Sequence, residues 1–293
     1  MARIRIGLSG WSYDSWRGDF YPDRLARTRQ LSFASRQFES LEINGSFYGM
    51  LNPNTYRRFY AETPVGFLFA LKGSRFITHN KKLRDVASPL ANFLASGPLL
   101  LREKLGPMLW QLEDRTQFDA DKVNAFLELL PRTTDAAAQL ARHHDHRIRE
   151  PWVHIDRKRR IRHALEIRHP SFFTAEMVRA ARRTGTALVF SDAGDWQYTE
   201  EITAGFIYIR LHGVPKTYVS RYDDAALEGW AERILAWQEG NERADARRIT
   251  DRAPPRRRTR DVYVYFDNDA HGHAYRDAAR LAGMLGAGKT IHA

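Results

Sequence analysis

Four titratable side chains stand at or close to the carboxyl ends of apolar segments: Glu42, Glu166, Asp192 and His212. Carboxylates and an imidazole that share one cleft shift one another's pKa values, which suits general acid–base catalysis. We take these four as candidate catalytic residues, with Glu42 or Glu166 as the general base. Asp192 is a secondary candidate in this role, as is Asp269.

Three cations have a similar placement: Lys72, Arg168 and Arg210. Because an arginine fork donates two parallel hydrogen bonds to phosphate or carboxylate, these residues and His212 are predicted to hold the anionic oxygens of a substrate. An alternative stays open. Two of these cations, Lys72 and Arg210, could form a structural ion-pair network with Glu42 and Glu166 that fills the barrel without catalysis.

Amide and aromatic side chains complete the candidate substrate-binding set. Amides would orient a substrate by hydrogen bonds, and rings beside cations could stack on nucleobases or sugars. Large rings also anchor irregular loops, and for any single ring this structural role is the stronger interpretation. The set comprises Asn44, Gln111 and Asn268 with Trp11, Tyr13, Tyr48, Tyr218 and Tyr222.

A divalent metal ion is a further alternative. The four candidate catalytic side chains supply oxygen and nitrogen donors that are compatible with Mg²⁺, Mn²⁺ or Zn²⁺. His212 is the one histidine that clearly lies on a predicted strand of this set, so no multi-histidine site is indicated. No cofactor is assigned from the sequence.

Eight short apolar segments position these residues, and helical patterns alternate with them. The predicted strands are Ile4–Leu8, Leu41–Asn44, Phe67–Lys72, Met108–Leu112, Ala164–Arg168, Ala187–Asp192, Phe206–His212 and Val262–Phe266. The predicted helices are Asn54–Glu62, Asp121–Leu130, Ala175–Arg183, Asp223–Glu239 and Ala270–Leu285. Strand–helix alternation over a whole chain predicts a parallel sheet, and eight units predict a single (β/α)8 TIM-barrel domain over residues 1–293.

Alternation within the strands predicts where each side chain points. Leu165 and Ile167 alternate with Glu166 and Arg168, and four other predicted strands show the same pattern. Because successive strand residues face opposite sides, the apolar parity should pack on the helices and the polar parity should face the barrel interior. The polar residues lie toward the carboxyl ends of the strands, where barrel enzymes place their sites.

Composition limits the class of protein. Of 293 residues, 43% are hydrophobic and 28% are charged, which is typical of globular proteins. There is no cysteine, so disulfides and cysteine-based chemistry are excluded. No apolar run approaches the ~20 residues that span a bilayer, and the first ten residues read as a strand rather than a signal peptide. We therefore expect a cytoplasmic protein without membrane contact.

The net charge of +11 is concentrated in two stretches. Residues 142–183 hold twelve arginines and lysines against five acidic residues, and this stretch overlaps a long arginine-rich insert at residues 131–162. Residues 243–260 hold eight arginines and two aspartates, with Ala253–Arg260 predicted to be an exposed loop. Clustered cations attract polyanions by releasing condensed counterions, but a charge run is also an ordinary solvated surface.

Runs of sequence from the first strand to the last resemble the YecE-like proteins, also called the domain of unknown function 72 family. The matching runs are Ile6–Trp16, Gly18–Pro22, Phe38–Tyr48, Ile77–Leu83, Leu105–Leu112, Ala164–Phe172, Tyr208–Gly213 and Val262–Asp269. As an ordered set they are specific and cover essentially the whole chain. The resemblance implies a TIM barrel, in agreement with the strand count, and it implies no settled reaction.

Three hypotheses follow for the function. The first is a hydrolase-like barrel enzyme that acts on a phosphate-bearing substrate such as a nucleic acid. The second is a nucleic-acid-binding protein without chemistry, which uses the arginine-rich surface and the aromatic residues. The third is a binder of small phosphorylated metabolites. The oligomeric state is not predicted.

Overall fold

Eight strands form a closed barrel in chain order in the computed structural model, which describes residues 2–194 and 196–286. The strands are β1 Ile4–Ser9, β2 Ser40–Ile43, β3 Leu68–Lys72, β4 Leu105–Gln111, β5 His163–Glu166, β6 Ala187–Asp192, β7 Phe206–Leu211 and β8 Asp261–Phe266. Their ladders are parallel, as in the pairing of β7 with β8 and of β4 with β5. The (β/α)8 barrel predicted from the sequence is confirmed.

Helices connect the strands. They are α1 Gln30–Gln37, α2 Gly45–Tyr48, α3 Pro53–Glu62, α4 Ala87–Ala95, α5 Ala120–Leu129, α6 Thr134–Ala141, α7 Ala175–Thr184, α8 Asp224–Gln238 and α9 His273–Met284. Four helices begin after a side chain that accepts a backbone N–H of the first turn: Asn52, Asp119, Thr174 and Asp223. Such caps satisfy an N–H group that the helix itself cannot, which fixes where each helix begins.

Two compact units are distinguished by their internal contacts. The first unit comprises Met1–Glu42 with Ala187–Ala293, and the second unit comprises Ile43–Thr186. The first unit holds β1, β6, β7 and β8, and the second holds β3, β4 and β5. Each unit is described by itself below.

The side-chain alternation predicted from the sequence is confirmed in both units. In the second unit Trp110 of β4 packs edge-to-face on Phe93 of α4 and Phe126 of α5, so its parity faces the helices. In the first unit Phe190 of β6 packs on Trp237 of α8 at 5.0 Å between ring centroids. The opposite parity carries the polar side chains that form the clusters described in the next subsection.

Three predicted boundaries need correction. The structure ends β2 at Ile43, because Asn44 has helical dihedral angles and precedes α2 directly. Likewise β5 ends at Glu166. Helix α9 begins at His273 rather than at position 270, because Gly272 adopts φ +68° and its N–H donates to the Asp269 carbonyl in a turn. The remaining predicted bounds lie within three residues of those observed.

The arginine-rich insert is closed at its base. Thr133 and Arg160 form an isolated antiparallel bridge, flanked by a hydrogen bond from Ile161 N to Arg132 O at 2.8 Å. Helix α6 begins directly after Thr133 of this bridge, and most of residues 142–160 have no regular structure.

The loop predicted over Ala253–Arg260 is irregular and largely exposed, with one correction. Arg260 is buried, because its backbone N–H bonds to Gln238 O at 3.0 Å and its Nη2 donates to Pro255 O at 2.8 Å. Arg260 therefore stabilises the loop and is not part of the exposed basic surface.

Candidate active site

A fully buried carboxylate, Glu42, lies at the carboxyl end of β2 in the first unit. Its Oε1 accepts hydrogen bonds from Ser9 Oγ at 2.7 Å and from Arg210 Nη2 at 2.9 Å. Its Oε2 accepts the Tyr208 hydroxyl at 2.6 Å. Burial raises the pKa of Tyr208 above its ordinary value, and the nearby Glu42 charge adds to this, so the phenol stays a donor. A buried carboxylate needs such donors, because desolvation alone disfavours its charge.

Arg210 connects this carboxylate to a second one. Its Nη2 also lies 2.9 Å from Oδ2 of Asp267, the residue directly after β8. The same Asp267 oxygen lies 3.2 Å from Nδ1 of His212, which directly follows β7. Arg210 and His212 are both completely buried, so Asp267 bridges two polar groups that water does not reach.

His212 has a second neighbour on its other ring nitrogen. Its Nε2 lies 3.1 Å from the hydroxyl oxygen of Ser191, near the carboxyl end of β6. In the tautomer that carries its proton on Nδ1, the nitrogen nearer Asp267, Nε2 accepts the Ser191 hydroxyl. The order serine–histidine–aspartate is the arrangement in which histidine removes a proton from a nucleophilic hydroxyl. We call Ser191, His212 and Asp267 the serine–histidine cluster.

Two aromatic rings cover the imidazole of this cluster. The Trp196 ring lies 5.0 Å from the His212 ring and the Tyr218 ring lies 5.3 Å from it, both edge-on. Tyr218 is partly exposed and has φ +65°, an unfavourable angle for a side chain with a Cβ. The residue therefore holds its ring over His212 at a cost in backbone strain.

Asp269 lies in an aromatic environment in the same unit. It accepts a hydrogen bond from the Trp16 indole, which is completely buried. Burial raises the pKa of Asp269 to about 7, and the negative charge of Asp267 adds to the shift although the Trp16 bond opposes it. The carboxyl group is therefore poised to exchange a proton at neutral pH.

Three predicted site residues of the first unit face a helix or a loop. Trp230 of α8 donates to Asp192 Oδ2 at 3.1 Å, and burial raises the pKa of Asp192. Tyr222 is buried, accepts Gly213 N–H and donates to the Asp192 carbonyl. Asn268 donates to Ser220 O and to Asp277 of α9. These contacts fix the loops after β6, β7 and β8.

Predicted residues of the second unit form a separate group. Arg168 donates through Nε and Nη2 to Glu166 Oε1 at 3.0 and 2.8 Å, and Glu166 is fully buried. Gln111 is the register partner of Glu166 on the neighbouring strand. Lys72 is buried with its Nζ 4.3 Å from the centroid of the Phe47 ring, a cation–π contact.

The pKa of His79 reflects the charges that surround this side chain in the second unit. Burial lowers its pKa, and the positive charges of Lys72, Arg168 and Arg75 lower it further, against one opposing carboxylate, Glu113. Cations therefore outnumber carboxylates around His79, whereas carboxylates outnumber arginines around Asp267.

The remaining predicted residues lie at the strand ends of their own unit. Asn44 precedes α2, and its carbonyl accepts the Phe47 N–H. Tyr13 donates its hydroxyl to the Ser9 carbonyl, and Trp11 is half-buried with its carbonyl accepting the Tyr21 hydroxyl. Tyr48 is exposed.

Sequence reasoning missed Ser191, Asp267 and the two partners Ser9 and Tyr208. The alternation along β8 contained a signal for Asp267. Counted along the strand, Asp267 falls on the face opposite to that of Val264 and Phe266. The alternation along β6 likewise contained the signal for Ser191, which alternates with the helix-facing Phe190. The same argument explains why Asp192, two residues after Phe190, points to α8.

Neither a metal-ligand cluster nor a membrane-spanning helix is present in the described part of the chain. Among residues 2–194 and 196–286, no three His, Asp or Glu side chains converge to hold a metal ion. In the same residues, no helix combines the length and apolar composition needed to cross a bilayer.

Comparison with known proteins gives a consistent family assignment. A sequence model of the family described as "Protein of unknown function DUF72" matches residues 5–292. The UPF0759 protein YunF of Bacillus subtilis is 31% identical over 80 residues, which span 27% of this chain and 27% of that protein. A DUF72 family protein from Thermotoga maritima superimposes with a TM-score of 0.72 at 22% identity, covering 97% of this chain and 99% of its own. A DUF72 family protein from Enterococcus faecalis gives a TM-score of 0.68 at 16% identity, covering 97% and 95%. At these identities the two structures support the fold alone.

Proposed function

The chain belongs to the DUF72 family of proteins of unknown function, and we propose that it is a hydrolase-like enzyme whose serine–histidine cluster cleaves an ester bond. The proposal is supported by two short distances: His212 Nε2 lies 3.1 Å from Ser191 Oγ, a hydrogen bond, and His212 Nδ1 lies 3.2 Å from Asp267 Oδ2, an ion-pair distance. The three residues stand at the carboxyl ends of β6, β7 and β8, where barrel enzymes place their catalytic groups.

Each residue has a defined part in the proposed reaction. Ser191 Oγ attacks the electrophilic carbon or phosphorus of the ester, and its proton passes to His212 Nε2. The imidazolium is held by Asp267 and returns the proton to the departing alkoxide, which leaves as the alcohol. Water, deprotonated by His212, then releases the second product and restores the serine hydroxyl. Arg210 and Glu42 position Asp267 without touching the substrate.

The charge around the cluster bears on which ester reacts. Glu42, Asp267 and Asp269 outnumber Arg210, whose Nη2 already donates to Ser9, Glu42 and Asp267. This environment favours an uncharged carboxylic ester at the reacting bond over a phosphate anion. The phosphate-bearing substrate predicted from the sequence is supported by the net charge of +11 and stays a prediction.

A fluorophosphonate probe tests the proposal without knowledge of the natural substrate. An activated serine displaces fluoride from phosphorus and keeps the phosphonyl group, so mass spectrometry identifies the modified residue. We expect labelling of Ser191 in the wild-type chain, no label there in Ser191→Ala, and labelling slowed about a hundredfold or more in His212→Gln. Ser40→Ala is the matched control, since Ser40 is buried and its hydroxyl bonds to Tyr265 OH rather than to an imidazole.

Two outcomes would overturn the assignment. One is a wild-type chain that does not label at Ser191, and the other is a His212→Gln chain that labels at the wild-type rate. Circular dichroism of each variant excludes unfolding as the cause. In the same experiment, turnover of p-nitrophenyl acetate against p-nitrophenyl phosphate separates acyl from phosphoryl transfer.

A second candidate function, polyanion binding without chemistry, rests on Arg256, Arg257 and Arg258. These consecutive arginines are exposed and form no ion pair within the described part of the chain. Other arginines of this stretch are neutralised, as Arg243 is by Glu232 and Asp245.

Binding of labelled nucleic acid over a series of salt concentrations tests this candidate. Each phosphate contact contributes about −0.9 to the slope of log K against log salt for duplex DNA. Replacing Arg256, Arg257 and Arg258 by glutamine should therefore make the slope shallower by up to about 2.7. An unchanged slope in the triple variant would exclude these arginines as the binding surface.

A further inference from the structure

Two large aromatic rings of the second unit are unusually exposed and lie in the same hollow. Tyr48 at the end of α2 is 69% exposed, and Phe76 is 45% exposed. Soluble proteins usually bury such rings, and exposed apolar surface bordered by charges commonly marks a binding site. Binding of a ligand therefore explains the exposure of these two rings better than packing within the protein does.

The hollow has a volume of about 570 Å³, within the range of small-molecule sites. Side chains from α2, α4 and two loops line it: Tyr48, Met50, Arg75, Phe76, Asn92 and Arg147. We call it the Tyr48 pocket. Its walls combine aromatic faces with two guanidinium groups, and no carboxylate side chain is among its lining residues.

The charges of the pocket are positive on balance. Arg75 is exposed and forms no ion pair within the described residues. Arg147 lies 3.7 Å from Asp145, which is also held by Asn92 and Ser88. Arg75 is one of the cations that lower the pKa of His79, so its positive charge also acts on this half-buried imidazole.

Local backbone geometry places Phe76 and Arg75 on this wall. Phe76–Asn80 is a single π-helical turn, closed by a hydrogen bond from Lys81 N to Phe76 O at 2.9 Å. Such turns are rare and often occur at functional sites. Shortly after it, Lys82, Leu83 and Asp85 all have positive φ angles, of 46°, 65° and 50°. Left-handed angles at non-glycine residues cost energy and cluster at sites with a function.

We propose that the Tyr48 pocket binds a nucleoside phosphate, either as a free nucleotide or as part of a single-stranded nucleic acid. The base stacks on Tyr48 or Phe76, since every nucleobase has a π-face that suits an aromatic ring. The phosphate is held by the fork of Arg75, with Arg147 as a second donor. This site is distinct from the serine–histidine cluster and does not depend on the ester cleavage proposed above.

Titration with AMP, adenosine, inorganic phosphate and a fluorescein-labelled adenine octanucleotide tests the proposal and separates its two sources. We expect AMP or the octanucleotide to bind the wild-type chain, and adenosine and phosphate to bind more weakly. Removing a stacking ring in Tyr48→Ala or Phe76→Ala should weaken binding about fivefold or more. Tyr48→Phe keeps the ring and should bind like the wild type.

Arg75→Gln should weaken AMP binding about tenfold and leave adenosine binding unchanged. Arg179→Gln, an exposed arginine on α7 outside the pocket, is the matched control and should have no effect. Binding of the octanucleotide alone would identify a single strand as the source. Absence of binding by both AMP and the octanucleotide, or binding equal to that of the wild type in both Tyr48→Ala and Phe76→Ala, would overturn the proposal. Neither result depends on Ser191 labelling, so this inference and the proposed function fail independently.

Discussion

Two arginines, one in each unit, have opposite environments. In the first unit Arg210 is completely buried between Glu42 and Asp267 and donates a hydrogen bond to each. In the second unit Arg75 stands on the wall of an open hollow without an ion pair among the described residues. A compensated, buried charge holds structure together, whereas an exposed charge without a counterion is available to a ligand. The presence of an arginine near a strand end does not by itself distinguish these roles.

Two titratable groups report the same contrast. Burial and the charge of Asp267 raise the pKa of Asp269, while burial and three cations lower the pKa of His79. Both shifts favour the neutral form of the group, but the neighbouring charges that assist them have opposite sign. The first unit thus disfavours an added anion near Asp269, and the second disfavours an added cation near His79.

The strongest test of this contrast compares two arginine substitutions. Arg210→Gln leaves Glu42 and Asp267 without their shared counterion, and should lower the free energy of unfolding by about 3–5 kcal/mol. Arg75→Gln changes an exposed side chain and should alter it by less than about 0.5 kcal/mol. Urea denaturation at pH 7 measures both. Equal losses would show that the two arginines have the same structural role.

The pH dependence of stability tests the environment of Asp269. Its pKa is about 7 in the folded chain and ~3.9 in the unfolded chain, so between these values only the folded state retains the proton. Stability should therefore fall as pH rises from about 4 to about 7, by at most roughly 4 kcal/mol, and level off above. Asp269→Asn keeps an acceptor for Trp16 and should lack this decrease. Parallel pH profiles of unfolding free energy in the two chains would contradict the raised pKa.

Removing single hydroxyl groups compares the same two regions on a smaller scale. Tyr208→Phe deletes a buried donor to the Glu42 carboxylate and should cost about 1.5–3 kcal/mol of unfolding free energy. Tyr48→Phe deletes an exposed hydroxyl and should cost nothing measurable. Thermal or urea denaturation distinguishes them, and a stable Tyr208→Phe chain would mean that Glu42 needs only Ser9 and Arg210.

The smallest expected effect is a shift in the titration of His79. NMR should give this imidazole a pKa below its usual 6.5. In Arg75→Gln the pKa should rise by a few tenths of a unit, because one of the three cations that lower it is removed. A pKa that is the same in both chains would show that Arg75 does not contribute to the field there.

The periodicity of the strands was sufficient to predict the barrel and the strand residues that form its polar face. It predicted that Glu42, Arg210 and His212 share one face of the strands, and the structure brings them together with Asp267. It could not predict which carboxylate pairs with which cation, because pairing depends on register between strands distant in sequence. Asp192 illustrates the limit. Its carboxyl group suggested a catalytic role, but its position in the strand alternation directs the side chain toward Trp230 of α8.

The Tyr48 pocket shows why the rest was not predictable. Tyr48 was selected for its ring and its place after β2, but Phe76, Arg75 and Arg147 lie on a π-helical turn and a loop. Neither segment has a repeating pattern, so no periodicity predicts where its side chains point. Exposure of a ring is a property of the folded surface and has no signal in the sequence.

The antiparallel bridge between Thr133 and Arg160 has a consequence for protein engineering. The bridge joins the two ends of the insert. A change in the number of residues between these ends should therefore leave β4 and β5 in place. Doubling such a loop adds only about 0.6 kcal/mol of closure entropy. A reporter domain could be spliced between the exposed residues Arg149 and Glu150, two positions beyond Arg147 of the Tyr48 pocket. The bridge thus makes this segment a suitable fusion point for a fluorescent sensor of the ligand proposed for the pocket.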